Sequence, residues 1–154
     1  MALASSSDAA VRAAGPADVD ALLPLVRALF RDESIVWNEP RTRSALVRLL
    51  ADADLGAVML CEHAGAVVGY AIVTWGFDLE FGGRDAFLTD VFVEPTARNR
   101  GLGARLLAQV FETARAAGAG AVHLQVRIEN EGARRLYERI GFEASPRVTL
   151  SRPL

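Results

Sequence analysis

Apolar positions along this chain change period several times, and each change marks an element. Over residues 15–30, Leu22, Leu25, Val26 and Leu29 recur at helical spacing, which predicts an amphipathic helix. Pro16 suits its first turn, and Asp18 and Asp20 suit its positive end. Pro24 predicts a kink or a late start. A second helix is predicted over 41–54, with Ala45, Leu46, Leu49 and Leu50 as its apolar face. Strands follow at 56–63 and 66–77, separated by Ala64-Gly65, a hairpin signal. A second turn falls at Gly82-Gly83, and 86–95 reads as the next strand. Then comes a helix over 104–118, with Leu102, Leu106, Val110, Phe111 and Ala114 along one face and Gly118 as its stop.

Within 121–128, Val122, Leu124 and Val126 alternate with His123, Gln125 and Arg127, the period of a strand. Asn130 is a good cap for a short helix that Gly141 ends. Residues 9–14 open the pattern as a strand, and 147–154 close it as another. The order is therefore β-α-α-β-β-β-α-β-α-β. Hairpins in the middle and a βαβ crossover afterwards predict an α/β (α+β) fold: a mixed, mostly antiparallel central sheet flanked by helices. The pattern is that of one domain over 9–154, preceded by a loose tail at 1–8.

Composition narrows the function. With 51% hydrophobic and 23% charged residues the chain reads as a globular protein, and its formal charge of −2 argues against a nucleic-acid partner. Cys61 is the single cysteine, which excludes an internal disulfide and a four-cysteine zinc site, and no metal site is expected. In "AVMLCE" it reads as a small buried hydrophobe. No stretch approaches the roughly 18 to 20 apolar residues of a membrane span. The first ten residues lack the basic start and apolar centre of a signal peptide, so a cytoplasmic location is expected.

The stretch Arg98-Asn99-Arg100-Gly101-Leu102-Gly103 stands between a strand and a helix, where backbone N–H groups meet anions. A dinucleotide loop needs a third glycine, but Leu106 stands there, and His123 stands near the place of the ribose-binding acid. A nucleoside triphosphate loop fails sooner, since no Gly-Lys-Ser/Thr occurs.

Together, "DVFVEPTARNRGLGARLL" and "NEGARRLYERIGF" resemble the GNAT superfamily of acyl-CoA-dependent N-acyltransferases. The loop matches that family's Gln/Arg-x-x-Gly-x-Gly/Ala pattern. Asn130, Ala133, Tyr137, Gly141 and Phe142 match its later motif. The resemblance covers roughly residues 10–150.

The resemblance implies acetyl-CoA as cofactor, with its pyrophosphate at the N–H groups of Arg100, Gly101, Leu102, Gly103 and Ala104, and with Arg98, Asn99 and Arg100 lending the loop its charge and shape. It implies that Val91, Phe92 and Val93 meet the pantetheine arm through main chain, and that a backbone N–H there polarises the thioester carbonyl. It places Asn130 and Ala133 on the same arm and Tyr137 at the departing sulfur. A phenol is protonated at neutral pH and can protonate a thiolate.

The acceptor amine must lose a proton. Asp90 ranks first as the base, on a strand face shared with Leu88 and Phe92; Glu80 ranks second, ahead of Asp85 and Glu94. An ion pair with Arg84 is the structural alternative for Asp90. His123 reads as a structural strand residue. Asp32, Glu33, Trp37 and Glu39, with Asp78, Glu80 and Asp85 on the hairpin, suit a small cationic amine. The 69–93 segment looks similar to diamine acetyltransferases but carries Thr89 where that group tends to have a glutamate. The expected activity is acetyl transfer to a small primary amine by direct transfer. A catalytically silent acyl-CoA-binding module and acetylation of a protein N-terminus are the alternatives. Family analogy also implies a homodimer, with 147–154 as a candidate surface.

Overall fold

This computed structural model describes residues 9–154; the tail read at 1–8 lies outside the described residues. Its elements are β1 (Ala9–Ala13), α1 (Val19–Asp32), α2 (Glu39–Ala51), β2 (Gly56–His63), β3 (Ala66–Asp78), β4 (Gly83–Val93), α3 (Leu102–Ala116), β5 (Val122–Leu124) and α4 (Glu131–Arg139). The five strands form one sheet in the order β1-β2-β3-β4-β5. The first three pairings are antiparallel and β4–β5 is parallel, the mixed sheet expected. The chain divides into two compact units, one ending at Leu124 and the other spanning Gln125–Leu154.

In the first unit, α1 buries Val19, Leu22, Leu25 and Val26, and α2 adds Leu46. These pack on Val58, Leu60, Tyr70, Ile72 and Phe92, one face of the sheet. Each fully buried leucine stabilises the fold by about 2 kcal/mol. Ala45, expected on the apolar face of α2, is exposed, and Leu49 and Leu50 are half-buried against the cluster. The α1 entry is pinned by Asp18, which accepts from Arg12 at 2.8 and 2.9 Å and from the Gly15 N–H at 2.8 Å. These donors hold the Asp18 carboxyl down at about 2. A 3₁₀ turn at Pro16–Asp18 precedes α1, which begins late, at Val19, and continues through the exposed Pro24.

The other face of the sheet carries α3, whose Leu102, Leu106, Leu107, Val110 and Ala114 are buried. Gly69 marks that face: a Cβ there would meet Leu106 Cδ1 at 3.4 Å and Val93 Cγ2 at 3.2 Å. Along β3, Tyr70 and Ile72 therefore turn to α1, and Gly69, Ala71 and Val73 to α3.

The β3–β4 register slips once. Ile72 pairs with Asp90 but Val73 pairs with Leu88, so Thr89 is an extra residue, a β-bulge. Paired residues share a face, so Leu88 turns with Val73 toward α3 and Asp90 turns with Ile72 toward α1. The expectation that Leu88 and Asp90 share a face is thereby corrected; Phe92, opposite Tyr70, does lie on the Asp90 side.

Two strands fall short of expectation. The β5 ladder covers only Val122–Leu124, so Val126 is not part of it. Residues 147–154 form no strand, and their Val148, Leu150 and Leu154 are exposed. A strand exists only where a neighbour accepts its hydrogen bonds, and Pro153 lacks a donor besides.

Candidate active site

The loop after β4 is built by unusual backbone. Asn99 and Gly101 both have positive φ, 60° and 74°, and Gly101 is the N-cap of α3. The Arg105 N–H closes the first helical turn on the Gly101 carbonyl at 3.1 Å. The N–H groups of Leu102, Gly103 and Ala104 find no acceptor among the described residues. Three unmatched donors at the positive end of a 15-residue helix make an anion cradle. Space is available too: a Cβ at Gly101 or Gly103 would have nothing within 4 Å. The pyrophosphate of acetyl-CoA fits this donor set.

The two loop arginines are partly committed. Arg98 folds back, its Nε donating to the Val93 carbonyl at 2.8 Å and its guanidinium lying 5.6 Å from the Phe92 ring centroid. Arg100 Nη1 reaches Nε2 of His63 at 3.2 Å. The Val93 carbonyl is thus already occupied, and the Phe92 side chain is buried in the α1 core. The Val91 and Val93 side chains are half-buried.

Asp90 does not pair with an arginine. The hydroxyl of Tyr70 donates to its Oδ2 at 2.8 Å. Burial pushes the Asp90 carboxyl above its usual range, against the pull of the Tyr70 and Thr89 hydroxyls. Burial and the neighbouring carboxylate push the Tyr70 phenol up as well, so Tyr70 stays a donor. A carboxylate with a raised pKa, neutral hydroxyl partners and a bulge beside it is suited to taking a proton. Tyr70 escaped the sequence reading because its apolar neighbours Ala71 and Ile72 disguise it as core; the strand pairing reveals it.

The structure does not bring Glu80 to Asp90. Glu80 sits in the 3₁₀ turn Leu79–Phe81 beyond the end of β3, and the six residues from Ile72 to Asp78 span about 20 Å. Glu94 follows β4, where its N–H donates to the Val68 carbonyl. Asp85 lies 3.4 Å from Nε2 of His123. Arg84, proposed partner of Asp90, stacks instead at 5.8 Å on the Trp75 ring.

Between α1 and α2 lies a cleft of about 690 Å³ lined by Leu23, Pro24, Arg27, Arg31, Trp37 and Arg43 among others. Of the acids expected in an acceptor pocket, only Glu39 lines it, with Asp20 beside it. Arg43 engages Asp20 at 2.8 Å. Asp32 lies 3.3 Å from Arg31 and 3.9 Å from Arg98. The lining has more arginines than acids, so this cleft lends nothing to a cationic acceptor. The acids that could receive one are those of the β3–β4 hairpin. Among the described residues no group of three or more His, Cys, Asp or Glu could hold a metal ion, and no helix is long and apolar enough to cross a membrane.

In the second unit, Asn130 caps α4 by accepting from the Ala133 N–H at 3.1 Å. Its carbonyl accepts the first helical bond, from the Arg134 N–H at 3.0 Å. Tyr137 is half-buried and packs edge-on against Phe142 at 5.7 Å between centroids. The Phe142 N–H closes the turn on the Tyr137 carbonyl at 3.0 Å.

An acetyltransferase (GNAT) family match covers residues 23–142, including β4, the loop and α4. The chain belongs to that family. GNAT members use acetyl-CoA, in agreement with the anion cradle at α3. The chain is 31% identical to an aminoglycoside N(6′)-acetyltransferase type 1 of Stenotrophomonas maltophilia, over 92% of this chain and 91% of the relative. It is 30% identical to an L-methionine sulfoximine/L-methionine sulfone acetyltransferase of Pseudomonas aeruginosa, over 89% and 81%. An uncharacterized N-acetyltransferase of Methanocaldococcus jannaschii is 29% identical over 82% of this chain, which spans 57% of that relative. The chain spans 33% of a Mycobacterium leprae protein to which it is 34% identical.

Among solved structures, an integron cassette protein from a salt-marsh metagenome superposes with a TM-score of 0.84 at 32% identity, covering 97% of this chain and 91% of that one. An aminoglycoside N-acetyltransferase in complex with CoA superposes at 0.78 with 22% identity over 94% of each chain, a likeness of fold.

Proposed function

We propose that this chain transfers an acetyl group from acetyl-CoA to the primary amine of a small molecule by direct transfer, with Asp90 taking the amine proton. The observation that carries the reading is the Tyr70–Asp90 pair: a carboxyl raised by burial, held at 2.8 Å by a hydroxyl, on the strand that leads into the loop. Bound acetyl-CoA supplies the activated acyl group. The N–H groups of Leu102, Gly103 and Ala104 hold its pyrophosphate, and main chain of Val91–Val93 orients the thioester. Asp90 converts the acceptor ammonium to the nucleophilic amine. Tyr137, on the strength of the motif match, protonates the leaving sulfur.

The named relatives support a polyfunctional small amine, an aminoglycoside or an amino-acid derivative. The acidic hairpin residues Asp78, Glu80 and Asp85 support a cationic one. The exposed Val148, Leu150 and Leu154 support a homodimer through the C-terminal segment. The test is thiol release from acetyl-CoA with an aminoglycoside, L-methionine sulfone and a panel of diamines, for wild type, Asp90→Asn and Tyr137→Phe. Turnover by wild type and a fall of ~10²-fold or more in kcat for each variant are expected. Tight acetyl-CoA binding without turnover of any amine overturns the reading in favour of a silent acyl-CoA-binding module.

A further inference from the structure

The sheet face that carries Asp90 carries a second titratable pair. Asp85 Oδ2 lies 3.4 Å from His123 Nε2, and the Asp85 side chain is only 16% exposed. The contact is built into the fold. Gly76 stands opposite Asp85, and a Cβ at Gly76 would collide with Asp85 Oδ1. On the other side the Phe81 ring packs on the imidazole at 4.9 Å. Gly120 lets that turn approach, since a Cβ there would come within 2.7 Å of the Phe81 carbonyl. Other charged groups near the imidazole's surroundings are Asp78 and Glu80, on the turn that carries Phe81; Arg84 turns to the opposite face with Trp75.

The register fixes where this pair stands. Phe87 pairs with both Thr74 and His123, so His123 shares a face with Thr74, Ile72 and Asp90. Two residues of β3 separate the Phe87 and Asp90 rungs, about 7 Å, and β5 lies one strand spacing of about 5 Å further across. Asp90 is half-buried, and the His123 side chain is 36% exposed. An imidazole with one nitrogen on a carboxylate has the other available for proton transfer, and the carboxylate stabilises its charged form.

We propose that His123, oriented by Asp85, is the proton exit for the acceptor amine. This rests on the acetyltransferase reading above. The ammonium N–H bond breaks and Asp90 takes the proton; a bridging water carries it to His123 Nδ1, and the imidazolium releases it to solvent. The amine lone pair meanwhile forms the new C–N bond, the C–S pair leaves on sulfur, and the second proton that the acylated nitrogen sheds balances the one the leaving sulfur takes up. His123 is a relay acting through Asp90 and water, not a group that touches the acyl carbon.

The test is kcat/KM for an acceptor amine and KM for acetyl-CoA, with and without added imidazole, for wild type, His123→Ala and Asp85→Asn. His123→Ala should lose on the order of 10-fold or more, keep its KM for acetyl-CoA, and recover activity with imidazole. Asp85→Asn should lower kcat/KM for the amine while KM for acetyl-CoA stays unchanged, since the imidazole loses the carboxylate that orients it. A His123→Ala enzyme with wild-type rates, or with a loss that imidazole does not restore, overturns the proposal while leaving Asp90 as base. If His123→Ala does not fold, an unchanged kcat/KM for the amine in Asp85→Asn overturns it alone. A wild type inactive on every amine removes the acetyltransferase reading and this inference together.

Discussion

Tyr70 and Asp90 stand two rungs apart on one face of the sheet and are joined by a 2.8 Å hydrogen bond from phenol to carboxylate. Tyr70 is fully buried, so its hydroxyl has no water to turn to, and Asp90 has one firm donor. Tyr70→Phe removes that donor and leaves the carboxyl where burial has put it. A buried group that loses its partner costs about 1–3 kcal/mol. The Asp90 pKa should rise further, since the lost bond favoured the ionised form. The acidic limb of kcat/KM should therefore move to higher pH in Tyr70→Phe. A limb that stays in place would separate Asp90 from the rate.

The same pair makes a statement about stability. Asp90 has its folded pKa raised above the unfolded value, chiefly by burial. Its contribution to stability is fully present below the unfolded pKa and is lost as pH rises through the folded one. Above that folded pKa the charge on Asp90 thus weakens the fold. Asp90→Asn keeps an acceptor for the Tyr70 hydroxyl without the charge. It should raise Tm at pH 7.5 by a few degrees, on the order of 1 kcal/mol, and should lose that advantage below pH 4. A thermal melt at both pH values checks it; a lower Tm at pH 7.5 contradicts the account.

Most of the fold was legible because it is written in local periodicity. Leu22, Leu25 and Val26 alternate as a helix must, and Ala64-Gly65 announces its hairpin. The loop was legible because Gly101 must adopt a positive φ that other residues resist. What escaped lies in pairing between distant strands. Nothing around Thr89 signals an extra residue, since a bulge is a property of two strands in register, and with it went the side to which Leu88 turns. The partnerships of Asp90 with Tyr70 and of Asp85 with His123 join positions 20 and 38 residues apart, beyond the reach of any period. The alternation at 122–128 continued past the ladder because alternation records which side chains could share a face, not where a neighbour exists.

Gly103 separates the needs of the fold from those of the cofactor. It lies in the first turn of α3, and a Cβ there would meet nothing within 4 Å. Gly103→Ala should hold or raise stability, by up to about 1 kcal/mol, because alanine loses less backbone freedom in a helix. The methyl group would stand beside three N–H donors that no protein acceptor matches. KM for acetyl-CoA should therefore rise several-fold while Tm does not fall. An unchanged KM would mean that no phosphate approaches this backbone.

Gly76 offers a way to disturb the Asp85–His123 pair without touching either residue. It sits opposite Asp85 in the β3–β4 ladder, and the space of its missing Cβ is filled by Asp85 Oδ1. The colliding atom is the end of a side chain, so Gly76→Ala is accommodated by rotating the carboxylate away. The strand itself gains, since alanine in an extended segment is less costly than glycine by about 0.5 kcal/mol. The fold should persist, with the contact to His123 broken. If Asp85 serves only the packing of this hairpin, kcat/KM for the amine stays at the wild-type value. If it orients the relay, Gly76→Ala reproduces Asp85→Asn: KM for acetyl-CoA is unchanged and kcat/KM for the amine falls. Adding Gly76→Ala to Asp85→Asn should then have little further effect, because both act on one contact.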